Sequence, residues 1–315
     1  PVLRRPSTAV FSMLDLVLAV LCSVSIGMIF KHTGRKGIDR TTLLTVNYAA
    51  AVAVAAVLIL VGERAAGGVA LSPALLGLAA GVGTLLIAGF FLLSYATDVA
   101  GMALAIGVMR VSVVIPFLAS WLVWEEVPTL LQGVGMGLAA LAFFLIAQKH
   151  RPPQAGTPGS VPRSLRGRLR DVDGHAFLVL ALTFLAGGGV DLSMKAFEEG
   201  FGGGTSRVLF LLLAFAAAFV VGGLIIGIRG VWYGRWPAAA AIGWGVLLGV
   251  VNYGSLEFLL RAIADLPGPF VFPANNIAIM ILAAGLGVVV WDERLTLANR
   301  WGLGLAALAL VLLRL

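Results

Sequence analysis

Arg110 lies near the middle of an apolar run, 101–123, that holds no other charged residue. A charge at that depth is costly in hydrocarbon, so it is expected to face a cavity or a partner. Its planar fork of donors suits a carboxylate or another anion. Asn275 and Asn276 fall in a second run, 268–290, and offer both donor and acceptor to a neutral polar group. Asp191 and Lys195 stand four apart in the run 175–197, the spacing at which they can pair on one helix face. Two readings follow for Lys195: a ligand for substrate charge held in place by Asp191, or a lysine that snorkels to the interface as Lys31 would. Glu257 and Arg261 repeat the spacing in the run 238–262. Glu257 is either the partner of Arg261 or a desolvated carboxylate carrying a coupling proton. Asn252 and Tyr253, with Asn47 and Tyr48, add polar edges. This is the chemistry of recognition. The histidines, His32, His150 and His175, sit at run ends or between runs, so no metal site, cofactor site or catalytic dyad is expected, and no enzyme.

The elements that must position these residues are membrane helices. The chain has 315 residues, 60% hydrophobic and 12% charged, with a mean hydropathy of +1.02. Soluble chains carry about a quarter charged residues. The apolar residues come in runs of about 20, the length that crosses a hydrocarbon core. They do not alternate as barrel strands would. The runs predict an all-α polytopic membrane protein of ten transmembrane helices, 13–32, 41–62, 74–97, 101–123, 128–148, 175–197, 206–228, 238–262, 268–290 and 296–314. Between the fifth and sixth lies 149–174, rich in Pro, Gly and Arg, which reads as a flexible basic linker; its segment 163–170 could alternatively lie on the membrane surface. The net charge of +7 comes from loops flanking spans, so topology explains it and nucleic acid does not. Cys22 is the single cysteine and excludes an intramolecular disulfide. The first run is long enough to span, and no small-residue cleavage site follows it, so no signal peptide is expected.

The chain also repeats itself. From Asp98 to Leu141 it aligns without a gap on Asp265 to Leu308 at an offset of 167 (265 − 98). Of those 44 pairs 13 are identical, and 11 of the 13 fall in the 19 positions from Val123 onward. Trp124-Glu125-Glu126 and Trp291-Asp292-Glu293 head the matching stretch. The repeat divides the chain into 1–148, the linker 149–174, and 175–315, with five spans on each side. An odd number of spans turns the second copy over, giving inverted repeats with a site between the halves near the midplane. Glu126 and Glu293 are expected to favour the positive ends of the fifth and tenth helices. Gly133-x-Gly135-x-Gly137 and Gly302-x-Gly304 read as close-packing features, and Pro116 and Pro273 as residues that free a carbonyl and kink their helices.

With these residues in view, the chain resembles the drug/metabolite transporter superfamily, in its EamA-type members with two five-helix repeats. The resemblance rests on Glu126–Leu141 and Glu293–Leu308, each an acidic residue closing one span before a Gly-rich last helix. It rests also on Asn252-Tyr253-Gly254-Ser255, Leu266-Pro267-Gly268-Pro269 and Val271-Phe272-Pro273-Ala274-Asn275-Asn276. It implies a secondary transporter of the cell (inner) membrane that works by alternating access. The expected solute is a small polar or amphipathic metabolite, an amino acid or carboxylate-bearing compound favoured, and export is favoured over import. With no ATP-binding motif, a coupling proton or a counter-substrate would drive it. The alternatives are a multidrug-type exporter of hydrophobic compounds and a non-transporting scaffold or lipid-handling protein. A positive-inside count puts both termini outside the cytoplasm, whereas the resemblance implies cytoplasmic termini; substrate identity and oligomeric state are left open.

Overall fold

The computed structural model describes residues 6–62, 71–100, 102–147, 174–234, 238–292 and 295–315. The linker from 149 to 173, with its segment 163–170 and His150, lies outside the described residues, as does Glu293. Among these residues eleven helices follow one another: α1 (Pro6–Arg35), α2 (Arg40–Gly62), α3 (Pro73–Ala100), α4 (Met102–Val111), α5 (Val114–Leu122), α6 (Leu130–Ala147), α7 (Gly174–Phe201), α8 (Arg207–Tyr233), α9 (Ala239–Asp265), α10 (Gly268–Trp291) and α11 (Leu297–Arg314). No strand occurs among the described residues. Among the described residues nine spans are long and apolar enough to cross a membrane, one of them α4 and α5 taken together, and the apolar part of α6, Leu130–Leu145, is shorter. The helices are apolar on their outer faces too: Leu130 is 85% exposed and Phe177 69%. A helix apolar all round belongs in a bilayer. The chain is an all-helical polytopic membrane protein.

Helix partners define the architecture. α1 packs on α9, α9 on α2, α2 on α8, α8 on α3, α3 on α7, α7 on α4 and α5, α5 on α10, and α10 back on α1. These contacts close a ring in which each neighbour comes from the other half of the chain. α6 and α11 pack on each other and against α4 and α10. Small residues permit the close crossings: a Cβ on Gly249 would strike the Asn47 carbonyl across the α2–α9 contact. Where α2, α8 and α9 adjoin, Tyr48 stacks on Phe215 at a centroid distance of 6.2 Å and Tyr253 meets Phe215 at a tilt, 6.3 Å away.

The α6–α11 pair carries the same device twice. At the start of α6, Gln132 N donates to Thr129 Oγ1 at 3.2 Å and Thr129 N to Gln132 Oε1 at 3.0 Å. At the start of α11, Asn299 N donates to Thr296 Oγ1 at 3.2 Å and Thr296 N to Asn299 Oδ1 at 3.0 Å. These are capping boxes, satisfying donors a helix start leaves orphaned. The capping amides then cross over. Gln132 Nε2 donates to the Leu313 carbonyl and Asn299 Nδ2 to the Leu145 carbonyl, each at 3.3 Å, so the two helices run antiparallel. Thr296→Ala is expected to cost about 1 kcal/mol, read as a fall of about 2 °C in the thermal unfolding midpoint in detergent.

The carboxylate ahead of α2 works similarly. Asp39 Oδ2 accepts from Thr42 N at 2.9 Å and Thr42 Oγ1 at 2.7 Å, and Arg229 reaches it from the end of α8 at 3.3 Å. Burial pushes the Asp39 carboxyl up, but the bonds from Thr42 and the Arg229 charge outweigh it and hold the group below its ordinary 3.8. The cap's contribution is therefore complete above that value and lost as pH falls through the lower folded one. Unfolding midpoints of wild type and Asp39→Asn should differ at neutral pH and converge on strong acidification.

Candidate functional site

The fourth span is broken at its middle. Pro116 has no N–H for the Ser112 carbonyl, and its ring crowds that group. Ile115 N turns to Ser112 O at 2.9 Å, and Val113 N to Arg110 O at 3.4 Å. The Met109 carbonyl, left over, is taken by the Ser112 hydroxyl at 2.6 Å. The expected kink at Pro116 is thus a full break between α4 and α5. At Pro273 no such break occurs, and α10 runs continuous through it. Pro273 stands only five residues after Gly268, where a single carbonyl, that of Pro269, loses its donor.

The break lies against α7. A Cβ on Gly188 would strike Ile115, and would come within 2.8 Å of the Ser112 carbonyl; one on Gly187 would lie 2.8 Å from Ser112 Oγ. The glycines therefore let α7 approach the broken span and bring Asp191 to Arg110. Arg110 Nη1 donates to Asn276 Oδ1 at 3.1 Å. The Asn276 amide donates to its own helix at Phe272 O, 3.1 Å away. Asp191, on α7, is close enough to feel the Arg110 charge and the Asn276 side chain. Three consecutive members of the ring, α7, α4 and α10, thus each give one polar group to a common centre. An arginine at a helix centre costs roughly 2.5–3.5 kcal/mol by insertion scales, and Asp191 and Asn276 offset it here. Asn275 is 7% exposed and its Oδ1 has no hydrogen-bond partner. That leaves a buried acceptor next in sequence to Asn276, a condition that costs free energy unless a donor is supplied.

Two sequence expectations fail for Lys195. It does not pair with Asp191: its Nζ lies 2.7 Å from Glu126 Oε1 and 2.6 Å from Glu199 Oε1. Nor does it snorkel, being 1% exposed. One helical turn separates Asp191 from Lys195, and Lys195 finds two nearer carboxylates. Glu126 also departs from expectation. Its Oε2 accepts the Gly268 N–H at 2.8 Å, so it caps α10 and not the following helix α6, whose start Thr129 and Gln132 already serve. The sequence offered one signal for this, the invariance of Glu126 between the repeats; nothing local pointed to Gly268.

Glu257 belongs to a separate network where the helix ends gather. Arg261 Nε donates to it at 2.8 Å and Tyr253 OH lies 3.5 Å from it. Nearby, Arg207 holds Glu198 with bonds of 2.9 and 2.6 Å, and Ser12 donates to Asp265 at 2.7 Å. Asn252 is half-buried on α9. A groove of about 510 Å³ between α3 and α8, lined by Thr84, Ile87, Phe91, Tyr95 and Val221 among others, carries no charged side chain and is distinct from the polar centre. In both repeats the residue after the tryptophan is left-handed, Glu125 at φ 56° and Asp292 at φ 52°, a conformation uncommon outside glycine.

No family model matches the chain. An uncharacterized protein of Haemophilus influenzae (strain ATCC 51907 / DSM 11121 / KW20 / Rd) is 25% identical over 297 residues, covering 92% of this chain and 93% of its own. A crystal structure of another protein, 15% identical, superposes with a TM-score of 0.71 over 97% of this chain and 98% of that one. The likeness is one of fold.

Proposed function

We propose that the chain is a secondary transporter of the EamA type, built from two inverted five-helix repeats in the cell membrane. It moves a small carboxylate-bearing solute, an amino acid foremost, by alternating access. The observation that carries this reading is the meeting of Arg110, Asp191 and Asn276 where the broken fourth span crosses the sixth and ninth. Arg110 takes the solute's carboxylate, Asp191 and the unpartnered Asn275 carbonyl oxygen suit an ammonium group, and Asn276 orients Arg110. A positive and a negative group side by side favour a zwitterion over a hydrophobic drug.

The pattern of partners supports the inverted repeat. Exchanging the halves turns α1·α9 into α7·α3, α2·α9 into α8·α3, and α1·α10 into α7 on the fourth span, all of them contacts. α2·α8 and α6·α11 map onto themselves. The antiparallel course of α6 and α11, their matched capping boxes and the two left-handed residues at the shared offset agree with it. Such symmetry gives two similar conformations open to opposite sides. An ion gradient or solute exchange would supply the drive, and export is the favoured direction.

Counterflow tests the reading. Proteoliposomes loaded in turn with alanine, leucine, glutamate, lactate and succinate should accumulate the labelled form of at least one of them. Failure of carboxylate-bearing solutes throughout, with folded protein in the bilayer, would sink it.

A further inference from the structure

The fourth span, α7 and α10 meet a second time toward the ends of α5 and α7, at Lys195, one turn beyond Asp191 on α7, and at Gly268, eight residues before Asn276 on α10. Here the ligand is a carboxylate of the chain itself. Glu126 gives one oxygen to Lys195 Nζ at 2.7 Å and the other to the Gly268 N–H at 2.8 Å. Gly268 opens the 24-residue helix α10, whose N-terminal end carries partial positive charge. Beside it, Ser120 is 0% exposed, and its Oγ has no hydrogen-bond partner. That hydroxyl lies against Gly268, where a Cβ would collide with it. The Trp124 ring closes the site with Lys195 Nζ 6.0 Å from its centroid.

We propose that Lys195, the Gly268 N–H and the Ser120 hydroxyl form a carboxylate-binding site, filled in this conformation by Glu126. An ammonium, a helix N-terminus and a spare buried hydroxyl are three independent donors to one anion. The receiving groups are fixed: Lys195 is 1% exposed and Gly268 starts a long helix. The occupant is the movable part. Glu126 is 24% exposed and follows a left-handed residue, Glu125, so a free carboxylate can take its place while Glu199 stays on Lys195. Resting on the transporter reading, the exchange of Glu126 for the solute's carboxylate is the step that opens the path between Arg110 and the ends of α5 and α7.

The test needs no transport. Purified Glu126→Ala in detergent is titrated with sodium formate, and with sodium chloride at equal ionic strength, while thermal unfolding is followed. Formate should raise the variant's midpoint saturably, by about 3–5 °C, and leave wild type unmoved. Adding Lys195→Gln should abolish the response. Equal shifts with chloride, equal shifts in wild type, or a flat titration of folded Glu126→Ala would each overturn the site. If that variant is not recovered, Glu126→Gln takes its place: formate must again outdo chloride, and a flat response counts against the site. A failed titration leaves the counterflow result standing, so the two ideas fall separately.

Discussion

Arg110→Gln is expected to lower affinity for the counterflow solute at least 100-fold, with the protein still folded. The substitution removes the cation of the centre and keeps an amide able to meet Asn276, which Arg110 now reaches at 3.1 Å. Asp191 is left with Asn276 alone. Breaking a desolvated charge pair costs about 3–5 kcal/mol, and each 1.4 kcal/mol is about tenfold in affinity. Arg110→Lys should rescue only in part, because a point charge cannot offer the fork to carboxylate and asparagine together. A structural arginine would behave differently. Its loss would lower the unfolding midpoint with the dissociation constant unchanged, and Arg110→Gln combined with Asp191→Asn would restore function. On the present account the double variant regains stability and not affinity.

Gly188→Val should abolish monodisperse protein altogether. Its first added carbon would already meet Ile115 and lie 2.8 Å from the Ser112 carbonyl, which cannot move without dissolving the turn between α4 and α5. Overpacking typically costs about 1–3 kcal/mol, and here the clash is with backbone and adds the two γ-methyls. The expected result is aggregation on size-exclusion chromatography. Gly137→Ala is the matching control, since a Cβ there meets nothing within 4 Å, and it should purify like wild type. Recovery of Gly188→Val at wild-type yield would mean that α7 and the broken span do not approach as described.

The spans were legible because hydrocarbon thickness sets a least length for an apolar run that crosses it, and all but the apolar part of α6 reach it. Capping was legible where it is local: Thr129 with Gln132, and Thr296 with Asn299, stand three apart at the repeat offset. Aligning the halves put Arg110 at the depth of Asn276, and the two meet. The chain was opaque wherever the partner lies on another helix. Spacing of four suggested Lys195 with Asp191, but ring order brings Glu126 to Lys195 instead. The same order sends Glu126 to α10, 142 residues on. The two prolines looked alike in sequence; their effects differ because Pro116 stands mid-span and Pro273 near a helix start.

The most direct test of alternating access around this centre is the reach of a thiol placed in it. In a Cys22→Ser background, Asn275→Cys would be exposed to a membrane-impermeant maleimide from each side of sealed proteoliposomes of known orientation. The account predicts labelling from either side, with the two rates shifting in opposite directions when the counterflow solute is added. Labelling from one side only, unchanged by solute, would contradict it.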